Sequence, residues 1–534
     1  MTLAVDGRAL EAAAGVTLAA ALEGVGAGMR ALRRSVAGEP RGVLCAMGVC
    51  FECRVTIDGQ PHRRACMEIV REGMDVRTGE TPGAWERDAE PPPRRAVDML
   101  VCDVAVVGGG PAGIAAACRA AEADVRTVLL DEGAAPGGQI HRRLPGREPP
   151  PAARGWLVRL AQSGAKAVSG AAVFDAARAA DGGWRLAAQT AGGALVVAAR
   201  AIVLATGSRE LFLPFPGWTL PGVYGAGGAQ ALWKSGASLA GRTAVVGGSG
   251  PLLLPVAASL AKAGVRIVAV VEQAATRELA AFALGLVRSP GRLREAIRYR
   301  RGFAPAPYRA GAWVAEARGH GRLEGVVIAD ARGGRSEVAC DLAAVGWGLT
   351  PNTELARLLG CAVSDGGQGI AVSVDARQET SVAGVFCAGE ACGVAGVEAA
   401  VAEGQIAGEA AAGSLERSWD LRRLTRARAS ARGFARRMRR TFRLRPELAR
   451  LAREDTIVCR CEDATLGSIR SCAGAREAKL AVRSGMGPCQ GRVCGPALSF
   501  LFGWDSDTVR TPIQPAPLGD LGLVAPGPEE EGLA

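Results

Sequence analysis

Eight of the fifteen cysteines in this 534-residue chain fall into two groups of four, one near each end. The N-terminal group, spaced Cx4Cx2C with a fourth cysteine after it, comprises Cys45, Cys50, Cys53 and Cys66. The C-terminal group, spaced CxC and later CxxxxC, comprises Cys459, Cys461, Cys489 and Cys494. The first spacing is the plant-type pattern that holds a 2Fe-2S cluster, and each group has the ligand number and softness of an iron-sulfur site. We therefore predict an electron-carrying protein.

Zinc is the main alternative for the N-terminal group, because CxxC pairs commonly bind zinc. Structural zinc sites normally combine two such pairs, and the Cx4C arm does not match them. Disulfides are a weaker alternative, since residues 1–28 carry Asp6, Arg8, Glu11 and Glu23 where an export signal needs an uninterrupted apolar core. We therefore expect a reducing, cytoplasmic location, and peripheral attachment to the inner face of the membrane stays open.

The segment VCDVAVVGGGPAGIAAACRAAEADVRTVLLDE has the pattern of a strand, a glycine-rich turn, a helix and a second strand. Its turn contains the GxGxxG motif of Gly108, Gly110 and Gly113. In a Rossmann unit these glycines allow the tight turn, the approach of a pyrophosphate and close helix–strand packing. Asp131 or Glu132 ends the second strand, where a carboxylate can accept hydrogen bonds from the adenosine ribose. We predict a dinucleotide site here.

A second Rossmann-like segment, RTAVVGGSGPLLLPVAASLAKAGVRIVAVVE, departs from the motif. Gly248 and Gly250 are in place, but Leu253 stands where the third glycine belongs. Glu272 keeps the acidic end of the next strand, which favours NAD over NADP if a nucleotide binds. A working nucleotide site and a retained scaffold are both open, so NAD binding is left undecided.

Two further segments, ending in ATG near residue 207 and in AGE near residue 390, resemble the paired segments of two-dinucleotide-domain flavoprotein reductases. The resemblance implies FAD, with Glu390 in place of the usual Asp on the ribityl chain and the next helix directed at the flavin. The remaining candidate cofactor contacts are Pro111, Ala112, Gly138, Gln139, Thr206, Gly207 and Gly389.

The net charge of +11 is concentrated in one segment. Between Arg417 and Arg453, fourteen arginines stand against Asp420 and Glu447, a local net charge of +12. The rest of the chain is therefore close to neutral, and we expect no nucleic-acid partner. The two main interpretations of the segment are a solvated helical connector and a docking surface for an acidic partner subunit.

The order of parts resembles one family over nearly the whole chain, to about residue 505. The motifs are GGQIHRR, LPFPGWTLPGVYGAGGAQ, CDLAAVGWGLTPNTELARLLG and CRCE followed by GMGPCQGRVC. They resemble the alpha subunits of hydrogen cyanide synthase, opine oxidase, dye-linked proline or hydroxyproline dehydrogenase and heterotetrameric sarcosine oxidase. The small ferredoxin-like subunit of such systems is fused here to the flavoprotein subunit.

The C-terminal module resembles the bacterioferritin-associated ferredoxin fold, and its four cysteines match that fold's cluster ligands. Arg483 either neutralises cluster charge or is solvated. Some relatives lack this cluster, and others hold an adenine nucleotide other than FAD in the first site.

The resemblance implies a subunit of an amine or imino-acid dehydrogenase acting on CH–NH or CH–NH2 donors, in a hetero-oligomer. A D-amino-acid-oxidase-like, FAD-dependent beta subunit would oxidise the substrate, and electrons would leave this chain for a quinone or another carrier. FMN at a subunit interface is a further option. The alternatives are an NADH-dependent ferredoxin reductase and a non-catalytic assembly subunit with a structural nucleotide. No catalytic residue is identified.

The expected fold class is α/β, with two Rossmann-like domains of the pyridine nucleotide-disulfide reductase type and a small 2Fe-2S domain at each end. The predicted order is a β-grasp ferredoxin-like domain (1–85), a linker (86–99), a discontinuous FAD-binding domain (100–215 and 341–415) that contains a second nucleotide-binding domain (216–340), an arginine-rich helical connector (416–455), a helical 2Fe-2S domain (456–505) and a tail (506–534).

Overall fold

The computed structural model describes residues 1–24, 31–79, 97–144, 146–287, 289–367, 369–417, 420–505 and 508–524. The predicted linker 86–99 lies almost wholly outside these ranges. The chain forms two compact units. Unit 1 comprises 1–85, 210–349 and 436–506, and unit 2 comprises 86–209, 350–435 and 507–534. Within the described ranges, no helix has the length and apolarity needed to cross a membrane.

Residues 1–79 form a five-stranded sheet in the order β2-β1-β7-β5-β6, a separate β3–β4 pair and one helix. The parallel pairing of β1 with β7 places the two ends of this region side by side at the centre of the sheet. The elements are β1 (Thr2–Val5), β2 (Arg8–Glu11), α1 (Leu18–Glu23), β3 (Arg33–Arg34), β4 (Pro40–Arg41), β5 (Arg54–Ile57), β6 (Gln60–Arg64) and β7 (Asp75–Arg77).

The next part of the chain builds most of the large sheet of unit 2. Its elements are β8 (Val97–Val107), α2 (Pro111–Glu122), β9 (Thr127–Asp131), α3 (Pro151–Gln162), β10 (Lys166–Ser169), β11 (Ala172–Arg178), β12 (Trp184–Gln189), β13 (Ala194–Leu204) and β14 (Ser208–Glu210). Strands β10, β9, β8 and β13 run parallel, and β12 and β11 continue the sheet antiparallel.

The following part supplies the second parallel sheet, which belongs to unit 1. Its elements are β15 (Val223–Tyr224), α4 (Ala226–Lys234), β16 (Thr243–Gly248), α5 (Leu253–Lys262), β17 (Arg266–Glu272), α6 (Thr276–Leu286), α7 (Pro290–Gly302), β18 (Tyr308–Ala310), β19 (Ala312–Arg318), β20 (Gly325–Asp330), β21 (Arg335–Ala339), β22 (Leu342–Gly346) and β23 (Leu349–Pro351). The parallel order is β15-β22-β16-β17-β18, and β19-β20-β21 form an antiparallel sheet.

The C-terminal part belongs to unit 2 up to residue 435, to unit 1 from 436 to 506, and to unit 2 again from 507. Its elements are α8 (Glu354–Leu358), β24 (Val363–Asp365), β25 (Ile370–Val372), β26 (Val385–Cys387), a 3-10 turn (Gly389–Cys392), α9 (Val397–Ala411), a 3-10 turn (Leu415–Arg417), α10 (Leu421–Thr441), a 3-10 turn (Pro446–Arg450), β27 (Ile457–Cys459), β28 (Ala464–Thr465), α11 (Leu466–Arg470), α12 (Ala475–Val482), α13 (Cys494–Phe502) and α14 (Leu518–Val524). Strand β26 pairs in parallel with the end of β13.

Small residues allow the helices of unit 2 to pack at very short distance. A Cβ atom added at Gly404 of α9 would lie 2.1 Å from the Ala112 carbonyl oxygen of α2, and one at Gly408 would lie 2.3 Å from that of Ala116. Only glycine fits at such an approach, because any larger residue would force the two helices apart. The glycine and alanine content therefore has a packing role in this unit.

The arginines of α10 are only partly solvated. Arg432 pairs with the buried Glu403 of α9 at 2.7 Å, and Arg428 donates to the Gln378 side-chain oxygen at 2.9 Å. Removing a partner from a buried pair is costly, so these two arginines anchor the helix in unit 2. The helix has an exposed arginine face as well, which includes Arg422, Arg426, Arg436 and Arg437.

Candidate cofactor sites

The four N-terminal cysteines come together in a buried loop of unit 1. Three of them lie between β4 and β5, and Cys66 follows β6. Backbone N–H groups point at the sulfurs: that of Cys50 donates to Cys45 Sγ at 3.4 Å, and that of Gly48 to Cys66 Sγ at 3.2 Å. Such donors stabilise the thiolate form that a metal cluster needs.

The thiols of this group meet in pairs. The hydrogen bond with Cys50, opposed by burial, lowers the pKa of the Cys45 thiol to about 6. The Cys53 thiol bonds to Cys66 in the same way and, with burial, holds the pKa of Cys66 well above its ordinary value. Two ligands for each of two irons is the arrangement of a 2Fe-2S cluster. Structural zinc normally uses two CxxC-type pairs, which the Cx4C arm does not provide, so the donor set fits a cluster better than zinc.

The C-terminal cysteines show the same pairwise arrangement. Cys461 Sγ lies 3.5 Å from Cys489 Sγ, and Cys459 shares a hydrogen bond with Cys494 at the start of α13. The Ser484 hydroxyl lies 3.9 Å from Cys494 Sγ. All four sulfurs are buried within unit 1.

Arg483 is exposed and pairs with Glu462 at 2.7 Å. Its charge is therefore engaged by a neighbouring carboxylate rather than directed at the thiols. The buried arginines of this region, which the sequence analysis did not single out, are Arg33, Arg41 and Arg460.

The first glycine turn forms a close-packed cradle in unit 2. Gly108 adopts a φ of +108°, and a Cβ atom there would lie 2.3 Å from the Ala205 carbonyl oxygen. A Cβ at Gly113 would lie 1.8 Å from the Gly108 carbonyl oxygen. Gly110 caps the N-terminus of α2 without a side-chain hydrogen bond, so the helix presents backbone N–H groups and its positive end at the turn.

The other predicted contacts of the first site surround this cradle. Gly138 packs over it, since a Cβ there would lie 2.9 Å from Gly110 Cα, whereas Gln139 is exposed. A Cβ at Gly389 would lie 2.8 Å from the Cβ of Ala112, the residue after Pro111. The residues therefore converge at the carboxyl ends of β8, β13 and β26, where ligands of α/β sheets bind.

The two acidic candidates, Asp131 and Glu132, differ in their surroundings. The carboxylate of Asp131 faces the glycine turn, because a Cβ at Gly109 would lie 2.6 Å from Asp131 Oδ2. Burial raises the pKa of Asp131 to about 6, although the N–H groups of Gly109 and Gly133 oppose the rise. Asp131 thus contacts the turn itself, and the half-buried Glu132 lies next to it.

Asn352 holds the ATG turn from one side. Its side-chain N–H donates to the Thr206 carbonyl oxygen at 2.8 Å, and its backbone N–H donates to the Gly207 carbonyl oxygen at 2.9 Å. The Thr206 hydroxyl donates to the Asn352 carbonyl oxygen at 2.7 Å. Asn352 was not among the site residues predicted from the sequence, although it lies in the GLTPNTEL segment.

Ser208, two residues after Thr206, donates a hydrogen bond to Glu390. Burial raises the pKa of Glu390, and this hydrogen bond opposes the rise. The Gly389 N–H donates to the buried Glu403 at 3.0 Å, which anchors the AGE turn. Ser208 could have been found from its position directly after the ATG turn.

The second glycine turn is hydrogen-bonded to the segment that follows α10. The Ser249 hydroxyl, between Gly248 and Gly250, donates to the Phe442 carbonyl oxygen at 3.1 Å. Gln273, at the end of β17, donates to the Arg443 carbonyl oxygen at 3.2 Å and accepts from the Arg445 N–H at 3.2 Å. The segment after α10 therefore contacts the turn at Ser249 and the residue that follows β17.

The carboxylate next to the second turn is used internally as well. Glu272 accepts from the N–H groups of Gly250 at 2.8 Å and Ala274 at 2.9 Å. Burial raises the pKa of Glu272 to about 7, although the hydrogen bonds from those N–H groups oppose the rise. Leu253 begins α5 and is buried. A ribose would have to displace these bonds to use Glu272.

Known proteins match both parts of the chain. Residues 1–81 match the 2Fe-2S iron-sulfur cluster binding domain family, and residues 102–404 match the pyridine nucleotide-disulphide oxidoreductase family. An opine oxidase subunit of Rhizobium meliloti (strain 1021) is 33% identical over 476 residues, covering 80% of this chain and 100% of the relative. Hydrogen cyanide synthase subunit HcnA of Pseudomonas aeruginosa is 47% identical over 78 residues, covering 15% of this chain and 73% of the relative.

One solved structure covers nearly the whole chain, the crystal structure of L-proline dehydrogenase from P. horikoshii. Its TM-score is 0.69 at 19% identity, over 98% of this chain and 97% of that chain. The N-terminal 2Fe-2S domain and the α/β fold with FAD-type dinucleotide binding are thus confirmed. The predicted family is confirmed too: this chain belongs to the pyridine nucleotide-disulphide oxidoreductases and, among them, to the family that includes the opine oxidase subunit of Rhizobium meliloti.

Proposed function

We propose that this chain is the electron-transferring flavo-iron-sulfur subunit of an amine or imino-acid dehydrogenase. One observation carries the proposal: two groups of four buried cysteines, each arranged as two thiol pairs, lie within one compact unit. Two cluster sites in a chain that also has a dinucleotide fold suit the transport of electrons. The relatives support the substrate class, since their names include an L-proline dehydrogenase and an opine oxidase.

The cysteines of both groups are the proposed cluster ligands, and FAD is the proposed ligand of the first glycine turn. FAD would supply the conversion between two-electron oxidation of a C–N bond and one-electron transfer to clusters. Around it, Gly108, Gly110 and Gly113 would admit the pyrophosphate, Glu132 would hold the ribose, and Glu390 would accept hydroxyl hydrogen bonds from the ribityl chain.

Substrate oxidation is assigned to a partner. No catalytic residue was identified from the sequence, and the relatives are named as subunits. We propose a D-amino-acid-oxidase-like beta subunit, an FMN at the subunit interface, and a quinone or another carrier as acceptor. The exposed arginine face of α10 is the candidate docking surface, because guanidinium groups suit interface ion pairs.

The NADH-dependent ferredoxin reductase is the second candidate. It requires a working second nucleotide site, whereas the segment from Phe442 to Arg445 binds Ser249 and Gln273 at that turn. This contact favours the retained scaffold. A non-catalytic assembly subunit would contain a structural nucleotide but no reducible iron-sulfur clusters, so cofactor analysis separates it from the proposal.

The test is co-expression of this chain with an oxidase-like protein encoded beside it. We expect the two to co-purify and to reduce an artificial dye with one of proline, hydroxyproline, sarcosine, glycine or an opine. The chain alone should give no turnover with any of them. Robust turnover by the isolated chain would mean that it contains a substrate site of its own and would overturn the proposal.

A further inference from the structure

An ion pair joins the two cysteine loops of unit 1. Glu52 immediately precedes Cys53, and Arg460 is the middle residue of the CxC motif. Glu52 Oε2 accepts a hydrogen bond from Arg460 Nη2 at 2.9 Å, and Glu52 Oε1 accepts one from Arg33 Nη2 at 2.6 Å. A residue inside one cysteine motif is therefore in direct side-chain contact with a residue inside the other.

This bridge is buried and geometrically constrained. The side chains of Glu52, Arg33 and Arg460 are 1%, 3% and 2% exposed. Arg33 Nη2 also donates to the Arg460 carbonyl oxygen at 3.1 Å, and Arg460 Nη1 donates to the carbonyl oxygen of Trp218 at 2.8 Å, with the guanidinium 4.8 Å from the Trp218 ring centroid. Buried charges persist only when their partners are positioned this well.

A second ion pair reinforces the same contact. Arg41 Nη2 lies 2.7 Å from Asp463 Oδ1, two residues after Cys461, and Asp463 also accepts from the Ala37 N–H at 3.0 Å. The region between the loops thus holds more arginines than carboxylates.

The Nε–H groups of the three arginines are buried and lack an acceptor among the described residues; they belong to Arg33, Arg41 and Arg460. Iron-sulfur clusters with four thiolate ligands carry net negative charge, which suits an excess of buried cations.

We propose that Glu52, Arg33 and Arg460 form a charge bridge that fixes the two cluster loops against each other and sets the reduction potentials of both clusters. The inference rests on the proposed function, because it requires a cluster in the C-terminal group. With both clusters bound, an electron passing from one to the other would oxidise the first and reduce the second by one equivalent. No bond is made or broken, no proton moves, and no further reactant is needed.

Electrostatics predicts opposite effects for the two signs of charge. Removing the negative charge of Glu52 favours the reduced, more negative form of each cluster, so both potentials should rise. Removing the positive charge of Arg33 should lower both. If these residues had only a structural role, both variants would instead lose iron, or their cluster potentials would shift in the same direction.

The experiment is a redox titration of the full-length, anaerobically purified protein, followed by electron paramagnetic resonance. We expect Glu52→Gln to raise, and Arg33→Gln to lower, the midpoint potential of both cluster signals. Glu11→Gln, an exposed position of the same N-terminal region, is the matched control and should shift neither. In the fully reduced wild type, the signals should show magnetic splitting that is absent when half of the clusters are reduced.

The outcomes separate the inference from the function on which it rests. If the wild-type protein shows a single cluster signal and about half of the expected iron, the second cluster does not exist, and both the proposed two-cluster function and the charge bridge are wrong. Two outcomes would contradict the charge bridge but leave the proposed function intact. One is two cluster signals without magnetic splitting. The other is a C-terminal cluster whose midpoint potential changes in neither Glu52→Gln nor Arg33→Gln. If Glu52→Gln does not assemble, Arg33→Gln and the wild-type splitting decide, and lowered potentials in that variant support the bridge.

Discussion

The Ser208 hydroxyl donates a hydrogen bond to the carboxylate of Glu390, a residue 182 positions later in the chain. The two residues follow the neighbouring parallel strands β13 and β26, which bring distant segments to one sheet edge. The proposed ribityl-binding carboxylate is thereby oriented by a neighbour in the same unit.

The glycine cradle leads to a prediction about flavin content. Gly108→Ala should lower bound FAD severalfold, because its Cβ would meet the Ala205 carbonyl oxygen at 2.3 Å and the φ of +108° is unfavourable for alanine. The measurement is the flavin absorbance per chain after purification. Gly155→Ala is the control, since a Cβ there meets no heavy atom within 4 Å, and it should retain FAD. Full flavin in both variants would place the nucleotide elsewhere.

The thiol pairs predict two separate clusters, each held by its own group of cysteines. Wild-type protein should contain about four irons per chain and show two paramagnetic signals, because each group of four cysteines suits one 2Fe-2S cluster. Cys50→Ser should remove one signal and about half of the iron, and Cys489→Ser should remove the other. Iron, sulfide and zinc assays check this. A colourless, zinc-containing C-terminal region would contradict half of the prediction.

The occupied second turn predicts poor reduction of the flavin by NADH. Stopped-flow mixing with micromolar NADH should leave the flavin oxidised over seconds. The reason is that the Ser249 hydroxyl at that turn already donates to the Phe442 carbonyl oxygen and accepts a hydrogen bond from Gln273. Leu253→Gly alone should not restore reduction, since the contacts of Phe442 remain. Dithionite serves as the positive control. Rapid bleaching by NADH would favour the reductase alternative.

Glu23 predicts a pH dependence of stability. Burial raises its pKa from 4.5 to about 7, although Arg242 and Tyr224 oppose the rise. The folded state therefore binds this proton more tightly than the unfolded state, so the stabilisation is complete below about pH 4.5 and is lost as the pH rises through about 7. Relative to Glu23→Gln, the wild type should lose about 3 kcal/mol over this window.

Thermal unfolding of wild type and Glu23→Gln at several pH values between 5 and 8 measures this loss. The melting-temperature difference should change steadily in favour of the variant as the pH rises. Glu11→Gln is again the exposed control. A difference that stays constant over the whole range would show that Glu23 is ionised in the folded protein throughout.

Local patterns identified much of this protein because their chemistry depends on short spacings. The Cx4Cx2C run and the first GxGxxG motif each lie within one loop or one strand–turn–helix unit, so their sequence predicts their geometry. The same local reasoning singled out Leu253 as a departure from the second motif, but it could not decide between a working site and a scaffold.

Tertiary structure decided the relationships between residues that are distant in the chain. Asp131 and Glu132 are equivalent in sequence, and only packing against Gly109 assigns Asp131 to the turn. The contact of Phe442 with Ser249 spans 193 residues, and that of Glu52 with Arg460 spans 408. Long-range pairs such as these carry no local periodicity or spacing, because their geometry depends on how whole strands and loops pack. The sequence by itself therefore predicted a 2Fe-2S domain and a dinucleotide fold from local spacing, whereas the fold decided which residues contact each glycine turn and which charges lie between the two cysteine groups.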